Sequence, residues 1–158
     1  MKIALGQCSA SYNLEANLRK AVDSVEAAAQ KGAKLVCFPE LGFTRFHPQR
    51  RASKDVARLA EPVPGPTTDL FAGLARRFKL VIVLNLFERA GHRCFDSSPV
   101  IDADGRLLGR TRMVHITEYP LFHEQGYYAP GDTGAPVYET AAGRVGVAIC
   151  YDRHFPEY

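Results

Sequence analysis

The 158-residue sequence lacks any apolar run near the ~20 residues that a membrane-spanning helix needs. It also lacks an N-terminal apolar core followed by a small-residue cleavage site. Met1-Lys2-Ile3-Ala4-Leu5-Gly6-Gln7 reads as the start of a strand, not as a secretory signal. These absences predict a cytoplasmic protein with no membrane partner. Neither sign of charge dominates, since 20 Lys and Arg face 17 Asp and Glu for a net of +3. The densest basic stretch, Arg45, Arg50, Arg51, Lys54 and Arg58, reads as a solvated helix face rather than a phosphate-binding stripe. No nucleic-acid partner is expected. Cysteines are few and widely spaced, Cys8, Cys37, Cys94 and Cys150, with no C-x-x-C. Their even number permits two disulfides, but without a secretion signal they read as reduced thiols. Repeats, low-complexity tracts and internal linkers are absent too. What remains is an ordinary mixture, 46% hydrophobic and 23% charged, which excludes a disordered tail or a fibre.

The pattern alternates strand and helix. Lys2 to Cys8 forms a short apolar strand. Asn13 has the chemistry of a helix N-cap, and Leu14, Leu18, Ala21, Val22, Val25, Ala28 and Ala29 follow at spacings of three and four. Gly32 stands where a left-handed helix end belongs, and Lys34 to Phe38 is a second strand, cut off by Pro39. The length of the connection predicts parallel pairing. Residues 44–62 read as loop with one irregular helix, and Leu70, Phe71, Leu74 and Phe78 as a second helical stripe. Leu80 to Leu84 is the most apolar run and predicts a central strand covered on both faces. Ser98–Ile101 and Arg106–Val114 predict an antiparallel pair around Asp102-Ala103-Asp104-Gly105. Residues 117–136 read as loop. Gly143 to Cys150 alternates as a last strand, with Val145, Val147 and Ile149 on one face.

Chemistry concentrates at two strand ends. Cys150 follows Gly146 and Ala148 on its face, small neighbours that leave space beside a thiol at the carboxyl end of a strand. A buried, inert cysteine fits the same spacing. Glu40 ends another strand, as a functional carboxylate or a surface cap. His123-Glu124 begins an H-E-x-x-H pattern that fails at Tyr127, and His47, His92 and His154 lack partners at ligand spacing. No nucleotide-binding glycine motif is present. Neither a metal nor a cofactor is expected.

Three segments together resemble the nitrilase superfamily of carbon–nitrogen hydrolases. Cys37-Phe38-Pro39-Glu40-Leu41 is similar to the family's glutamate segment, and Ala148-Ile149-Cys150-Tyr151-Asp152-Arg153-His154-Phe155-Pro156-Glu157 to its nucleophile segment. His123 to Asp132 resembles the loop with the second glutamate, Glu124. Family members are longer, so the match covers their N-terminal half only. The resemblance implies one domain over residues 1–158, the N-terminal portion of a four-layer α/β/β/α sandwich left incomplete at the C-terminus. It implies hydrolysis of a small linear amide or N-carbamoyl amine through an acyl-enzyme on Cys150. Glu40 would be the base, Glu124 would assist, and the N–H of Tyr151 would serve as an oxyanion donor. A homo-oligomer is expected of the full-length form. One position departs from the pattern: in Thr111-Arg112-Met113-Val114-His115-Ile116 the family's lysine is replaced by Met113. Arg112 would point to the opposite face, and His115 reads as structural. Met113 keeps open a second possibility, a catalytically impaired binding or regulatory protein.

Overall fold

A computed structural model describes residues 1–158. Its frame is a six-stranded sheet with two helices on one face and a β-hairpin on the other. β1 (Ile3–Leu5), β2 (Leu35–Cys37) and β3 (Val81–Val83) run parallel, joined by α1 (Leu14–Gln30) and α2 (Pro66–Phe78). β4 (Leu86–Ala90), β5 (Arg93–Ile101) and β6 (Leu107–Arg112) continue it antiparallel. β3 and β4 lie end to end along one edge of β5, and β6 lies along the other. The structure thus shows a mixed α/β arrangement of helices, a six-stranded sheet and a two-stranded hairpin.

Both helices begin and end where side-chain chemistry directs. Asn13 Oδ1 accepts from the Ala16 N–H at 2.9 Å, and Gly32 takes φ +77° just past the end of α1. α2 opens on Gly65-Pro66, with the Gly65 N–H donating to Thr68 Oγ1 at 2.7 Å. The buried stripe of α1 differs from the one expected. Leu14 is largely exposed, while Asn17 is buried and donates to the carbonyls of Ser11 and Phe43, each at 2.9 Å. A polar side chain at that position ties the helix to the loop after Glu40.

Alternate residues of the central strands feed two cores. Val36, Leu80, Ile82, Leu84 and Ile101 pack with Val25, Phe71 and Leu74 under the helices. Leu35, Val81, Val83 and Val100 pack on the other face against Tyr138. Tyr138 belongs to the hairpin of β9 (Val137–Thr140) and β10 (Gly143–Gly146). No helix is long and apolar enough to cross a membrane.

Several boundaries needed correction. The first strand is Ile3–Leu5 rather than Lys2–Cys8, and residues 44–62 hold two short 3-10 turns, His47–Gln49 and Val56–Leu59. The antiparallel region begins earlier than Ser98 and contains an additional strand, β4. Its alternation is hidden because Glu88, Ser97 and Arg112 are buried polar residues satisfied by one another. Glu88 takes two hydrogen bonds from Arg112, at 2.9 and 2.6 Å, and one from Ser97 Oγ. The last strand ends at Gly146, not at Cys150.

Candidate active site

The site forms where the sheet's carboxyl end meets loops from across the chain. Glu40 follows β2. Leu41, next in line, adopts φ +47°, and its N–H is held by Asn85 Oδ1 at 2.7 Å. Asn85 occupies the break between β3 and β4. Its amide Nδ2 donates to Asp96 Oδ1 at 2.5 Å and to Ser98 Oγ at 3.1 Å. Removing Asn85 leaves three buried groups without this partner, one on the loop after β2 and two on β5. Asn85→Ala is expected to cost about 1–3 kcal/mol of stability, measurable by urea denaturation.

Glu124 begins a 3-10 turn (Glu124–Gly126) just after a two-strand ribbon, β7 (Glu118–Tyr119) and β8 (Phe122–His123). It is fully buried. Its Oε2 accepts from the N–H of Thr117 at 3.0 Å and from Thr117 Oγ1 at 2.7 Å, which fixes the carboxylate's orientation. Burial raises its pKa, Thr117 opposes that rise, and Glu40 adds to it.

Cys150 opens a 3-10 turn (Cys150–His154) with φ +46°, a conformation few non-glycine residues adopt. Asp152 anchors that turn. Fully buried, it accepts from the backbone N–H groups of Val114 and His115, and its Oδ1 lies 2.6 Å from His115 Nδ1. His115 stacks on Phe155, with ring centroids 3.6 Å apart, the structural role expected of it.

One ligand atom each from Glu40, Glu124 and Cys150 lie within 4.8 Å of one another, so the three motifs converge. Such a spacing describes a nucleophile beside its base as well as it describes a chelate, so the cluster alone assigns no metal. A cavity of about 280 Å³ opens onto Glu40, with Cys8, Thr44, Arg45 and Phe46 in its walls. A larger one of about 470 Å³ next to it holds none of the three clustered residues.

Met113 is fully buried, packed with Leu41, Phe87, Tyr128 and Ile149, and Cys150 rests against that group. Arg112, on the opposite face, is committed to Glu88 and to Asp132, the latter at 2.6 Å. Gly131 makes a close approach possible here. Its N–H donates to the Met113 carbonyl at 2.8 Å, and a Cβ on it would fall 2.2 Å from the Arg112 carbonyl.

Among the thiols, Cys8 and Cys37 are partly exposed, because β1 ends before Cys8 and Cys37 closes its strand, while Cys94 is buried. Cys150 has its pKa pushed up, first by burial, then by Glu40, with Glu124 and Asp96 adding. A raised thiol pKa means that the folded state retains a proton the unfolded chain releases above pH ~8.5, so this contribution to stability fades as pH climbs. Alkylation of Cys150 by iodoacetamide should therefore keep accelerating with pH past the range where an ordinary thiol has levelled off. A mass-spectrometric labelling profile at graded pH reads this directly, and an inflection in the ordinary range would count against the site's geometry.

Sequence reasoning missed Asn85, Asp96, Thr117 and Tyr128, which surround the cluster. No motif marks Asn85, Asp96 or Thr117, Tyr128 lies in the His123–Asp132 segment without a role assigned to it, and only the juxtaposition of β3, β4 and β5 brings Asn85 and Asp96 together.

The chain matches the model of the carbon–nitrogen hydrolase family over residues 2–158, and it belongs to that family, within the nitrilase superfamily. It is 35% identical over 159 residues to a citrullinase of Francisella tularensis, an alignment covering 99% of this chain and 55% of that protein. It is 36% identical over 156 residues to an N-carbamoylputrescine amidase of Solanum lycopersicum, covering 98% and 52%. The crystal structure of a carbon–nitrogen hydrolase from Helicobacter pylori superposes with a TM-score of 0.92 at 27% identity, covering 99% of this chain and 54% of that one. The chain spans about half the length of the curated relatives it matches.

Proposed function

We propose that this protein hydrolyses the C–N bond of a small linear amide or N-carbamoyl amine through an acyl-enzyme on Cys150. The convergence of Cys150 with Glu40 and Glu124 carries the reading. A thiol whose pKa is raised by its surroundings is a poor nucleophile until a base takes its proton, and Glu40 stands within reach to do so. As Sγ bonds to the substrate carbon, the thiol proton passes to Glu40. The C–N bond then breaks while Glu40 returns that proton to the departing nitrogen. Water adds to the thioester carbon, giving a proton to Glu40, and the C–S bond breaks as Sγ takes it back. Glu124, held by Thr117, orients the substrate's nitrogen end, and the N–H of Tyr151 receives the negative charge that develops on oxygen. The N-carbamoylputrescine amidases among the relatives favour an N-carbamoyl amine. A homo-oligomer belongs to the same reading and rests on the resemblance alone; a cytoplasmic location rests on the apolar pattern of the sequence.

Met113 favours a second reading, a binding protein that retains the pocket without turnover. Mass spectrometry after incubation with a panel of amides and N-carbamoyl amines separates the two. The hydrolase reading expects an acyl adduct on Cys150 that is absent from Cys150→Ala; no adduct with any member of the panel supports the binder.

A further inference from the structure

The residue opposite Met113 is an acidic one, Asp96. The β5–β6 register pairs Ser97 with Arg112, and one step on, the Met113 N–H donates to the Asp96 carbonyl at 3.0 Å. Asp96 and Met113 are therefore cross-strand neighbours on one face of the sheet. Asp96 is 1% exposed, and Asn85 bridges it to the N–H of Leu41, the residue after Glu40. Facing it are Glu40 from the loop after β2, Glu124 from the turn after β8, Cys150, and the Tyr128 hydroxyl, with Asn85 on its far oxygen. The nearest basic residue on these strands, Arg112, points away. Four buried atoms of this group, Asp96 Oδ2, Glu40 Oε1, Glu124 Oε1 and the Tyr128 hydroxyl, have no hydrogen-bond partner in the protein, and two of them belong to the Asp96 and Glu40 carboxyls. Two ionised carboxylates cannot bond to each other, and burying both side by side is costly. A single proton between them satisfies both atoms.

We propose that Asp96 is a positioning residue for the Cys150 site, a carboxylic acid that keeps its proton and donates it in a hydrogen bond to Glu40. It thereby fixes the base as a cation at position 113 would, but by removing a negative charge rather than adding a positive one. The proposal rests on the reading of Glu40 as the base for Cys150. Burial, and then the charge of Glu40, hold the Asp96 carboxyl well above the ordinary aspartate range, in the direction this requires.

Asp96 and position 113 are then coupled. Met113→Lys places an ammonium beside Asp96, which ionises and takes up part of the new charge. The single substitution should therefore accelerate acylation of Cys150 by less than the ~10²–10³ that an oxyanion donor can contribute. Asp96→Asn combined with Met113→Lys should recover more of it. Asp96→Asn alone, which retains a donor toward Glu40, should acylate about tenfold or more faster than Asp96→Leu, as expected for a hydrogen bond to a charged group.

The deciding measurement is infrared spectroscopy of the protein at its natural length and neutral pH. A carbonyl stretch of a buried, protonated carboxylic acid is expected in the wild type, and it should vanish in both Asp96→Asn and Met113→Lys. Thermal stability gives a second readout. The folded wild type holds a proton that an unfolded aspartate loses above pH ~3.9, so the advantage of Asp96→Asn should widen as pH rises from there. Absence of the band, or its persistence in Asp96→Asn, overturns the proposal, since the proton then lies elsewhere or nowhere. If the band behaves as expected in a protein that no amide acylates, Asp96 stands and the hydrolase reading falls. Acylation without the band does the reverse.

Discussion

Replacing Glu40 by Gln is expected to slow acylation of Cys150 by about 10²–10⁴, the usual contribution of a positioned general base. The same substitution should have the opposite effect on a reaction that needs only the thiolate. After burial, the neighbouring Glu40 carboxylate does most to raise the pKa of Cys150, so its neutral isostere leaves the thiol easier to ionise. Iodoacetamide alkylation of Glu40→Gln should accordingly reach its midpoint at lower pH than in the wild type. Opposed signs for substrate acylation and simple alkylation distinguish a base from a group that merely shapes the pocket, which would move both the same way. Glu124→Gln separates the second carboxylate from the first. Burial and two hydrogen bonds from Thr117 fix it in place, so its loss should reduce acylation while moving the alkylation midpoint less than Glu40→Gln does. If Glu40→Gln acylates at the wild-type rate, the thiol proton goes elsewhere and the site has been misassigned.

How much of this was legible beforehand depended on whether the signal was local. The Asn13 cap, the Gly32 helix end and the apolar run through Val81–Val83 are written in adjacent residues, and each element formed where they stand. The segments around Glu40, Glu124 and Cys150 were recognisable as motifs, and the fold brings them within 4.8 Å. The left-handed backbone at Leu41 and Cys150 was not readable, because neither is glycine and the strain is imposed from outside. Leu41 is held by Asn85, and the turn of Cys150 by Asp152 through Val114 and His115. Asp96 was invisible for a related reason. Within Cys94-Phe95-Asp96-Ser97-Ser98 it looks like a solvated aspartate, and only its place opposite Met113 and beside Glu40 makes it a buried acid. Local pattern thus supplied the frame and the three clustered residues, while the groups around them came from tertiary contacts.

The buried ion network beneath β4, β5 and β6 carries the second large expected effect. Glu88 is 1% exposed and faces Arg112, whose guanidinium gives it two hydrogen bonds, reaches Asp132 at 2.6 Å and lies 3.9 Å from the centre of the Phe95 ring. Arg110 Nε is also 3.0 Å from Glu88 Oε1, but makes no hydrogen bond to it, so Arg112 is the partner that satisfies the carboxylate. Arg112→Met would keep the volume and strip the charge, leaving Glu88 buried against Ser97 with only Arg110 nearby. Breaking a buried pair from one side costs about 3–5 kcal/mol. For a chain of this size that corresponds to a fall in Tm on the order of 10 °C, readable by calorimetry. Removing both charges is a different experiment. Glu88→Met with Arg112→Met leaves no uncompensated ion, and apolar replacement of a whole buried pair is often neutral. The double variant should therefore recover most of the lost stability. If it is as unstable as Arg112→Met alone, the guanidinium matters through Asp132 and Phe95 instead. Because Arg112 immediately precedes Met113, the single variant should also loosen the strand that sets Met113 opposite Asp96. Its acylation rate, measured well below its lowered Tm, should fall as well, whereas the double variant restores the strand and with it the rate.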